Sequence, residues 1–395
     1  GALAYCFARP PAFTAGGIDF DAFYCGARLL AASENPYQYE PLRTCEHANR
    51  RWANRKQVVA APLPPYALAM LVPLARLAYP QASLLWFVLL LASMLATIRA
   101  VIQLTDLPLL AVGASICIAT LIQALPTGAL APIAIASLCI VAVALTRKQW
   151  NAATLFLILA CLEPHVALPP LIATFVVVRE MRIRVILVGV ALVALSLLAD
   201  GVPLNAEYFT SALPAHAWSE LGSITQFSLS SMLHNFGVPG ETALAVGSLQ
   251  YGLFALLGLW LAKLLGFEIP ATVVLIPMAL AVTGGTYIHL SQILAVLPLA
   301  FVAAKRGHAI VAYVAIALLT VPWNLLNAFS ADALTVPRLA DVLARALARQ
   351  PTPGGMAYVA NALVYLGIFL TFWTLLASRS RQLRAGPAAG VGGSH

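Results

Sequence analysis

Two aspartates, Asp19 and Asp21, open a polar stretch at residues 17–56 of an otherwise apolar chain. This stretch holds five of the 15 Asp and Glu residues and six of the 23 Lys and Arg residues. A carboxylate within hydrogen-bond reach of a hydroxyl group can accept its proton, and the planar fork of an arginine can bind a phosphate. The residue types therefore indicate chemistry on hydroxyl and phosphate groups.

The two aspartates are not expected to have the same role. On a helix that begins near Asp19, the two side chains point about 200° apart, so we do not expect both to face one pocket. Aspartate is also a preferred residue at helix starts, where its side chain accepts from free backbone N–H groups. Capping of a helix over residues 20–32 is therefore the alternative interpretation of either residue.

The basic residues of the stretch are candidates for binding phosphate. Arg28 lies on the same predicted helix as Asp19. A second cluster follows, with Arg50, Arg51, Arg55 and Lys56. Basic side chains also collect where a protein surface meets anionic lipid head groups, and a solvated surface is the alternative interpretation of both groups.

A polar interruption occurs inside the apolar segment 151–179. Glu163 and His165 flank Pro164 there, and Pro169-Pro170 follow. Basic residues flank both ends of the segment, which indicates two short helices that enter and return with a polar apex. Ionisable groups at membrane depth are costly and often functional. The alternative is a hydrogen-bonded pair that stabilises the break.

Later histidines are weaker candidates. His289 starts an apolar segment beside Tyr287 and Gln292, where it could bind a phosphate or serve as an interfacial anchor. His216 and His234 lie in a predicted outer loop, and ordinary loop polarity is the preferred interpretation of both.

The composition indicates an integral membrane protein made of helices. Hydrophobic residues make up 61% of the chain, charged residues 10%, and the mean hydropathy is +0.87. Apolar runs of about 18–20 residues recur, as a hydrocarbon core about 30 Å thick requires. The net charge of +8 comes from bases at loop ends, where they orient helices, so we do not expect nucleic acid binding.

These patterns predict an all-α, polytopic transmembrane bundle of about twelve spans, including a truncated first helix. Short basic clusters fall on the inside when residues 9–81 are placed outside. The predicted organisation is the end of a first transmembrane helix at 1–8; a first extracytoplasmic loop with an interfacial helix at 9–81; transmembrane helices at 82–199; an extracytoplasmic loop at 200–241; transmembrane helices at 242–326; an extracytoplasmic loop at 327–356; a last transmembrane helix at 357–379; and a cytoplasmic tail at 380–395.

The six cysteines show no metal-binding spacing. Cys25 and Cys45 could pair in an oxidising compartment, whereas Cys117, Cys139 and Cys161 lie in apolar runs as core residues. No set of His, Asp and Glu has the spacing of a structural metal site. No cofactor is expected, although a single divalent ion at Asp19 is left open.

The first loop resembles glycosyltransferase family 87, membrane enzymes of the GT-C class that use polyprenyl-phosphate sugars. The matching motifs are Asp19-Phe20, Phe23-Tyr24, Gly26-Ala27-Arg28-Leu29-Leu30, Asn35-Pro36-Tyr37, Pro62-Leu63-Pro64-Pro65-Tyr66, Val72-Pro73-Leu74, Gln226-Phe227-Ser228-Leu229 and His289 with Leu297-Pro298-Leu299. Two motifs differ: Pro126-Thr127-Gly128-Ala129 stands where the family often has Gly-Gln, and Glu163-Pro164 where it often has Lys-Pro.

The resemblance implies a GT-C-like fold and transfer of a sugar from a polyprenyl-phosphate donor to a glycan or glycolipid acceptor. It implies Asp19 as the catalytic base, with Asp21 second. It also implies a substrate and donor-phosphate site, for which the candidates are Arg28, Tyr37, Glu163, His165, Gln226, Tyr287, His289 and Gln292. The expected location is a bacterial plasma membrane, with the site on the extracytoplasmic face.

A transporter or flippase of a lipid-linked or small anionic solute is the alternative function. Broken helices and buried polar groups are typical of transporters as well. The long first loop and the lack of an internal sequence repeat favour the enzyme.

Overall fold

In the computed structural model, the described residues are 17–48, 58–223, 225–266, 268–306, 309–323, 341, 344–345, 348 and 356–384. Every regular element within these ranges is a helix, which confirms the all-α fold class. Outside the helices, Gln226 and His289 form an isolated antiparallel bridge. Predicted segment 1–8 and most of 327–356 lie outside the described residues, as does the basic cluster that begins at Arg50.

The helices follow one another through short connections. In chain order they are α1 (Ile18–Ala31), α2 (Tyr39–Ala48), α3 (Pro65–Ala75), α4 (Tyr79–Thr105), α5 (Leu109–Ala119), α6 (Ala131–Thr146), α7 (Trp150–Ala160), α8 (Pro164–Val177), α9 (Arg182–Glu207), α10 (Leu213–Glu220), α11 (Leu229–Asn235), α12 (Gly240–Leu265), α13 (Thr272–Thr283), α14 (Leu290–Ile293), α15 (Leu297–Arg306), α16 (Ala309–Thr320) and α17 (Met356–Arg384).

Four helical stretches in the described ranges are long and apolar enough to cross a membrane. They are Tyr79–Thr105, Arg179–Ala199, Gly240–Leu265 and Tyr358–Ser378. Seven further apolar helices are 10–17 residues long, whereas a full crossing takes about 20 residues. The structure thus supports a helical membrane protein, but the predicted count of about twelve spans is not confirmed.

Local breaks explain why several predicted spans are short. The predicted span 107–124 begins after Pro108 and changes to a π-helix at Thr120–Ala124. The predicted span 288–304 is divided into α14, a 3₁₀ turn and α15. Apolar composition alone therefore overestimates the length of continuous helix.

The predicted break in segment 151–179 is present between α7 and α8, at residues 161–163. Pro169-Pro170, however, lie inside α8 and do not end it. Pro169 has no N–H to donate to the carbonyl of His165, four residues earlier. The Tyr251 hydroxyl of α12 donates to that carbonyl instead, at 2.8 Å. This bond replaces the helical hydrogen bond that Pro169 cannot make.

The predicted outer loop 200–241 is largely helical. Helix α9 continues past Ala199 to Glu207, followed by a π-helix at Tyr208–Ala212 and then by α10 and α11. Pro203 removes one backbone bond inside α9, and the Asn205 amide donates to the carbonyl of Gly201 at 2.8 Å. The helix thus continues past the sequence Gly201-Val202-Pro203, which is typical of a helix end, and the Asn205 side chain bonds to the backbone there.

The predicted first loop 9–81 is also folded, since α1, α2 and α3 lie within it. Cys25 on α1 and Cys45 on α2 form a disulfide with a Cα–Cα distance of 5.8 Å. The backbone N–H of Val59 donates to the Glu46 carboxylate. These links connect α1 and α2 to the extended segment that precedes α3.

The start of α1 is held by the connection between α5 and α6. The N–H of Asp19 donates to the carbonyl of Thr127 at 2.9 Å, and a Cβ on Gly17 would lie 1.8 Å from the Thr127 carbonyl carbon. Gly128 adopts φ +73°, and its carbonyl accepts from the Trp86 indole at 2.9 Å. The motif that departs from the family pattern thus fixes the position of Asp19.

We expect Gly17→Ala to destabilise the protein by about 3 kcal/mol or more, because overpacking against backbone atoms must separate α1 from Thr127. The matched control is Gly189→Ala, where an added Cβ meets no atom within 4 Å. The measurement is the midpoint of denaturant unfolding in detergent. Equal midpoints for the two variants would contradict this close contact.

We expect the double substitution Cys25→Ser and Cys45→Ser to lower stability by about 3 kcal/mol, because closing a loop of this length restricts the unfolded chain. The two cysteines are 20 residues apart. Thermal unfolding of the oxidised protein and of the variant gives the difference. Cys117→Ser and Cys161→Ser is the control pair, and maleimide labelling under non-reducing denaturation reports whether the bond has formed.

Candidate functional site

A cavity of about 560 Å³ opens where α1, α8, α10 and α14 meet. Its polar lining residues are together named the polar wall, and its apolar lining residues the apolar wall. The polar lining comprises Asp19, Tyr37, Glu163, His165, Glu207, Ser211, His216, Ser219, Glu220, Tyr287, His289, Ser291 and Gln292. Most of the residues that the sequence analysis selected therefore come together here.

Asp19 lines the cavity from the first turn of α1. Asp21 is 3% exposed and is not among the lining residues. Gly17 occupies the N-cap of α1, without a side-chain cap bond, so neither aspartate is the N-cap residue. The opposite directions expected for the two aspartates agree with this arrangement.

Gln292 holds a Glu–His pair in the cavity wall. Its Oε1 accepts the backbone N–H of His289 at 2.9 Å, which directs its Nε2 towards the α8 end. There Nε2 donates to Glu163 Oε1 and to His165 Nε2, both at 2.8 Å. The polar apex predicted between the two short helices is thus joined to a segment far along the chain.

Gln226 holds a second Glu–His pair in the same way. Its Oε1 accepts the backbone N–H of Ile288 at 2.7 Å. Its Nε2 donates to Glu220 Oε2 at 2.9 Å and lies 3.1 Å from His289 Nε2. Two consecutive backbone amides, of Ile288 and His289, therefore orient two glutamines, and each glutamine directs its amide N–H groups to a glutamate and a histidine.

His216 completes this part of the wall. Its ring meets Tyr287 edge-on, with centroids 4.9 Å apart, and the ring of His165 lies 5.8 Å from the same tyrosine. Burial lowers the pKa of His216; the neighbouring Glu220 opposes this shift, and His289 adds to it. Burial thus favours the uncharged form of the His216 ring.

Tyr37 lines the cavity and bonds to the segment before α3. Its hydroxyl donates to the carbonyl of Leu63 at 2.7 Å, and Asn35 donates to Glu207 at 2.6 Å. The Asn-Pro-Tyr turn thereby joins the segment before α3 to the end of α9. The apolar lining comprises Ile18, Ala22, Phe23, Val58, Val59, Ala60, Pro62, Leu63, Ala129, Leu130, Ala131, Ala212 and Ala215.

Three sequence-predicted candidates lie elsewhere. Arg28 is exposed towards the opposite end of α1, where it donates to the Tyr24 hydroxyl at 3.2 Å. Gln226 is 2% exposed and is not among the lining residues, although it contacts Glu220 and His289, which line the cavity. His234 on α11 is not among the lining residues. Arg28, predicted to bind phosphate, does not line the cavity, and nine residues of helix separate it from Asp19 by about 13 Å.

Glu207 and Glu220 were not predicted from the sequence as site residues. Glu220 follows His216 by one helical turn, so both side chains point to the same face of α10. Residues 200–241 were predicted to be a loop, and without a helix this four-residue spacing carries no signal. With His289, the pair forms a set of three potential metal ligands, which the spacing rules had not indicated.

The electrostatic balance of the cavity is unusual for a phosphate site. The described lining residues include the carboxylates of Asp19, Glu163, Glu207 and Glu220 and three histidines, but neither Lys nor Arg. The carboxylates would repel an anionic substrate group. Binding of such a group therefore requires protonated side chains in the wall or a bound cation that offsets the negative charge.

No protein-family model, curated protein or solved structure matches this chain. The resemblance to glycosyltransferase family 87 therefore stays a prediction from the motifs, and the cavity itself supplies the structural basis for a functional proposal.

We expect Gln226→Leu to destabilise the protein by about 2–4 kcal/mol, because the Ile288 N–H and the Glu220 carboxylate would lose buried partners. Gln250→Leu is the matched control, since the Gln250 Oε1 atom has no hydrogen-bond partner among the described residues. Unfolding midpoints in detergent give the comparison. A loss of stability no larger than in the control would mean that the bonds from Gln226 to Ile288 and Glu220 do not stabilise the protein.

Proposed function

We propose that the protein is a membrane glycosyltransferase that moves a sugar from a polyprenyl-phosphate carrier to an extracytoplasmic glycan or glycolipid. The observation that carries the proposal is a cavity that Asp19 lines together with other polar side chains and with a comparable number of apolar side chains. A lipid-linked sugar likewise combines a polar head with an apolar chain. The motifs of the first loop support the same class.

Asp19 is the proposed general base. It accepts the proton of the acceptor hydroxyl while the hydroxyl oxygen attacks the anomeric carbon, and the bond from that carbon to the phosphate oxygen breaks. Polyprenyl phosphate leaves with the bonding electron pair. One displacement of this kind inverts the anomeric configuration.

The clamped pairs of the polar wall would position the sugar and the phosphate. The Gln292 and Gln226 amides hold Glu163, His165, Glu220 and His289 at hydrogen-bonding distances. Side chains fixed in this way lose little entropy when a substrate binds. Glu163 therefore has a defined structural place even though the resemblance suggests a lysine at this position.

The donor's polyprenyl chain would leave the cavity along the apolar wall near α3. Leu63 and Val59 line this side, and α3 is a short apolar helix of 11 residues with Pro73 inside it. Such a helix suits the interface between the head groups and the acyl chains.

A GT-C-like arrangement of about twelve spans belongs to this proposal, with the shorter apolar helices completing crossings in pairs or where the bilayer is locally thinner. The disulfide between α1 and α2 supports an oxidising, extracytoplasmic location for the cavity side. A bacterial plasma membrane is the proposed location.

We expect Asp19→Asn to reduce transfer by about 100-fold or more, because an amide cannot accept the proton. The assay supplies a panel of short-chain polyprenyl-phosphate sugars with candidate acceptors and follows release of polyprenyl phosphate in liposomes. The matched control is Asp106→Asn at the end of α4, where the exposed carboxylate only meets Lys305 at 3.5 Å.

Full turnover by the Asp19→Asn variant would contradict its role as the base. Absence of release by the folded wild-type protein from every donor, together with uptake of a lipid-linked sugar into liposomes, would support the transporter function instead.

A further inference from the structure

Three side chains at the polar wall form a set that could bind a metal ion. One ligand atom from each of His216, Glu220 and His289 lies within 4.8 Å of the others. His216 and Glu220 are one turn apart on α10, and His289 is the N-cap residue of α14. All three residues line the cavity, so an ion held here would face a substrate.

The distances between the ligand atoms are close to those between ligand atoms around a bound metal ion. Ligands about 2.0–2.1 Å from a tetrahedral zinc lie about 3.3 Å from one another. His289 Nε2 and Glu220 Oε2 are already 3.7 Å apart. Their side chains are 32% and 22% exposed, so both have room to close the remaining distance by small rotations.

The surroundings of the set also fit a metal ligand shell. Thr225 Oγ1 lies 3.4 Å from His289 Nδ1, where it can accept the N–H that leaves Nε2 free to bind an ion. Gln226 donates to Glu220 Oε2, and ligating carboxylates are normally held by such bonds. An ion would take the His289 lone pair that the Gln226 amide now approaches at 3.1 Å.

The charge of the cavity points in the same direction. Four carboxylates and neither Lys nor Arg are found among its described lining residues. Arg28, the expected phosphate ligand, is directed elsewhere. A divalent ion would supply the positive charge that a phosphate needs in this wall.

We propose that His216, Glu220 and His289 bind one divalent transition-metal ion of the zinc type. Two imidazoles and one carboxylate are the donor set of many catalytic zinc sites and leave a coordination position open. As an extension that rests on the proposed function, the open position would take an oxygen of the donor phosphate and stabilise the charge that develops as it leaves.

The test is metal binding by the full chain in detergent. Protein stripped with EDTA is titrated with Co²⁺ and followed by its visible absorption, and elemental analysis after Zn²⁺ loading and gel filtration gives the stoichiometry. We expect about one ion per chain for the wild type. His216→Ala and Glu220→Gln should bind at least about tenfold more weakly.

Two matched controls lie in the same cavity. His165→Ala removes an imidazole that bonds to Gln292 and Glu163, and Glu207→Gln removes a carboxylate that bonds to Asn35. Both should keep wild-type stoichiometry and the Co²⁺ spectrum. Failure of the wild type to bind either ion, or equal binding by all four variants, would overturn the site.

Separate readouts distinguish the site from the reaction. A prenyl phosphate added to the Co²⁺-loaded protein should shift its absorption if the open position takes phosphate, and an unchanged spectrum would overturn that role. Metal binding without sugar transfer from any donor would count against the proposed function alone. Sugar transfer at an unchanged rate by the metal-stripped protein would support the proposed function and show that the ion has no role in the transfer.

Discussion

The structure of the cavity depends on satisfying polar groups inside a largely apolar molecule. Two neighbouring backbone amides, of Ile288 and His289, each bind the oxygen of a glutamine side chain. Because an amide has its acceptor and its donors at opposite ends, fixing the oxygen fixes the direction of the N–H groups. Gln226 and Gln292 thereby present donors to two Glu–His pairs, and the Ile288-His289 segment organises this part of the polar wall.

This arrangement explains how a wall rich in carboxylates is maintained beside apolar helices. An unpaired buried carboxylate is costly, whereas one that accepts a firm hydrogen bond is tolerated. The same clamps also bring together elements that are distant in sequence: α8, α10 and the start of α14. The proposed base stands apart from them, held through backbone contacts with the Thr127-Gly128 connection.

The sequence was a good guide where local chemistry decides the structure. It predicted the break before Pro164, the all-helical fold and the different directions of Asp19 and Asp21, because a proline at a helix start and the angular spacing of a helix are local properties. It did not predict the length of the crossings, since long apolar runs contain breaks that composition does not reveal. It also missed Glu220, whose importance depends on contacts with Gln226 and His289 that no spacing along the chain encodes.

One bond described above connects the cavity to the lipid. Tyr251 belongs to α12, a candidate membrane span of which only 17% of the most apolar window is buried, and its hydroxyl holds the carbonyl of His165. Helices in bilayers adjust their tilt to the thickness of the hydrocarbon layer. A change in acyl-chain length that alters the tilt of α12 would therefore act on the bond between Tyr251 and His165, at the edge of the cavity.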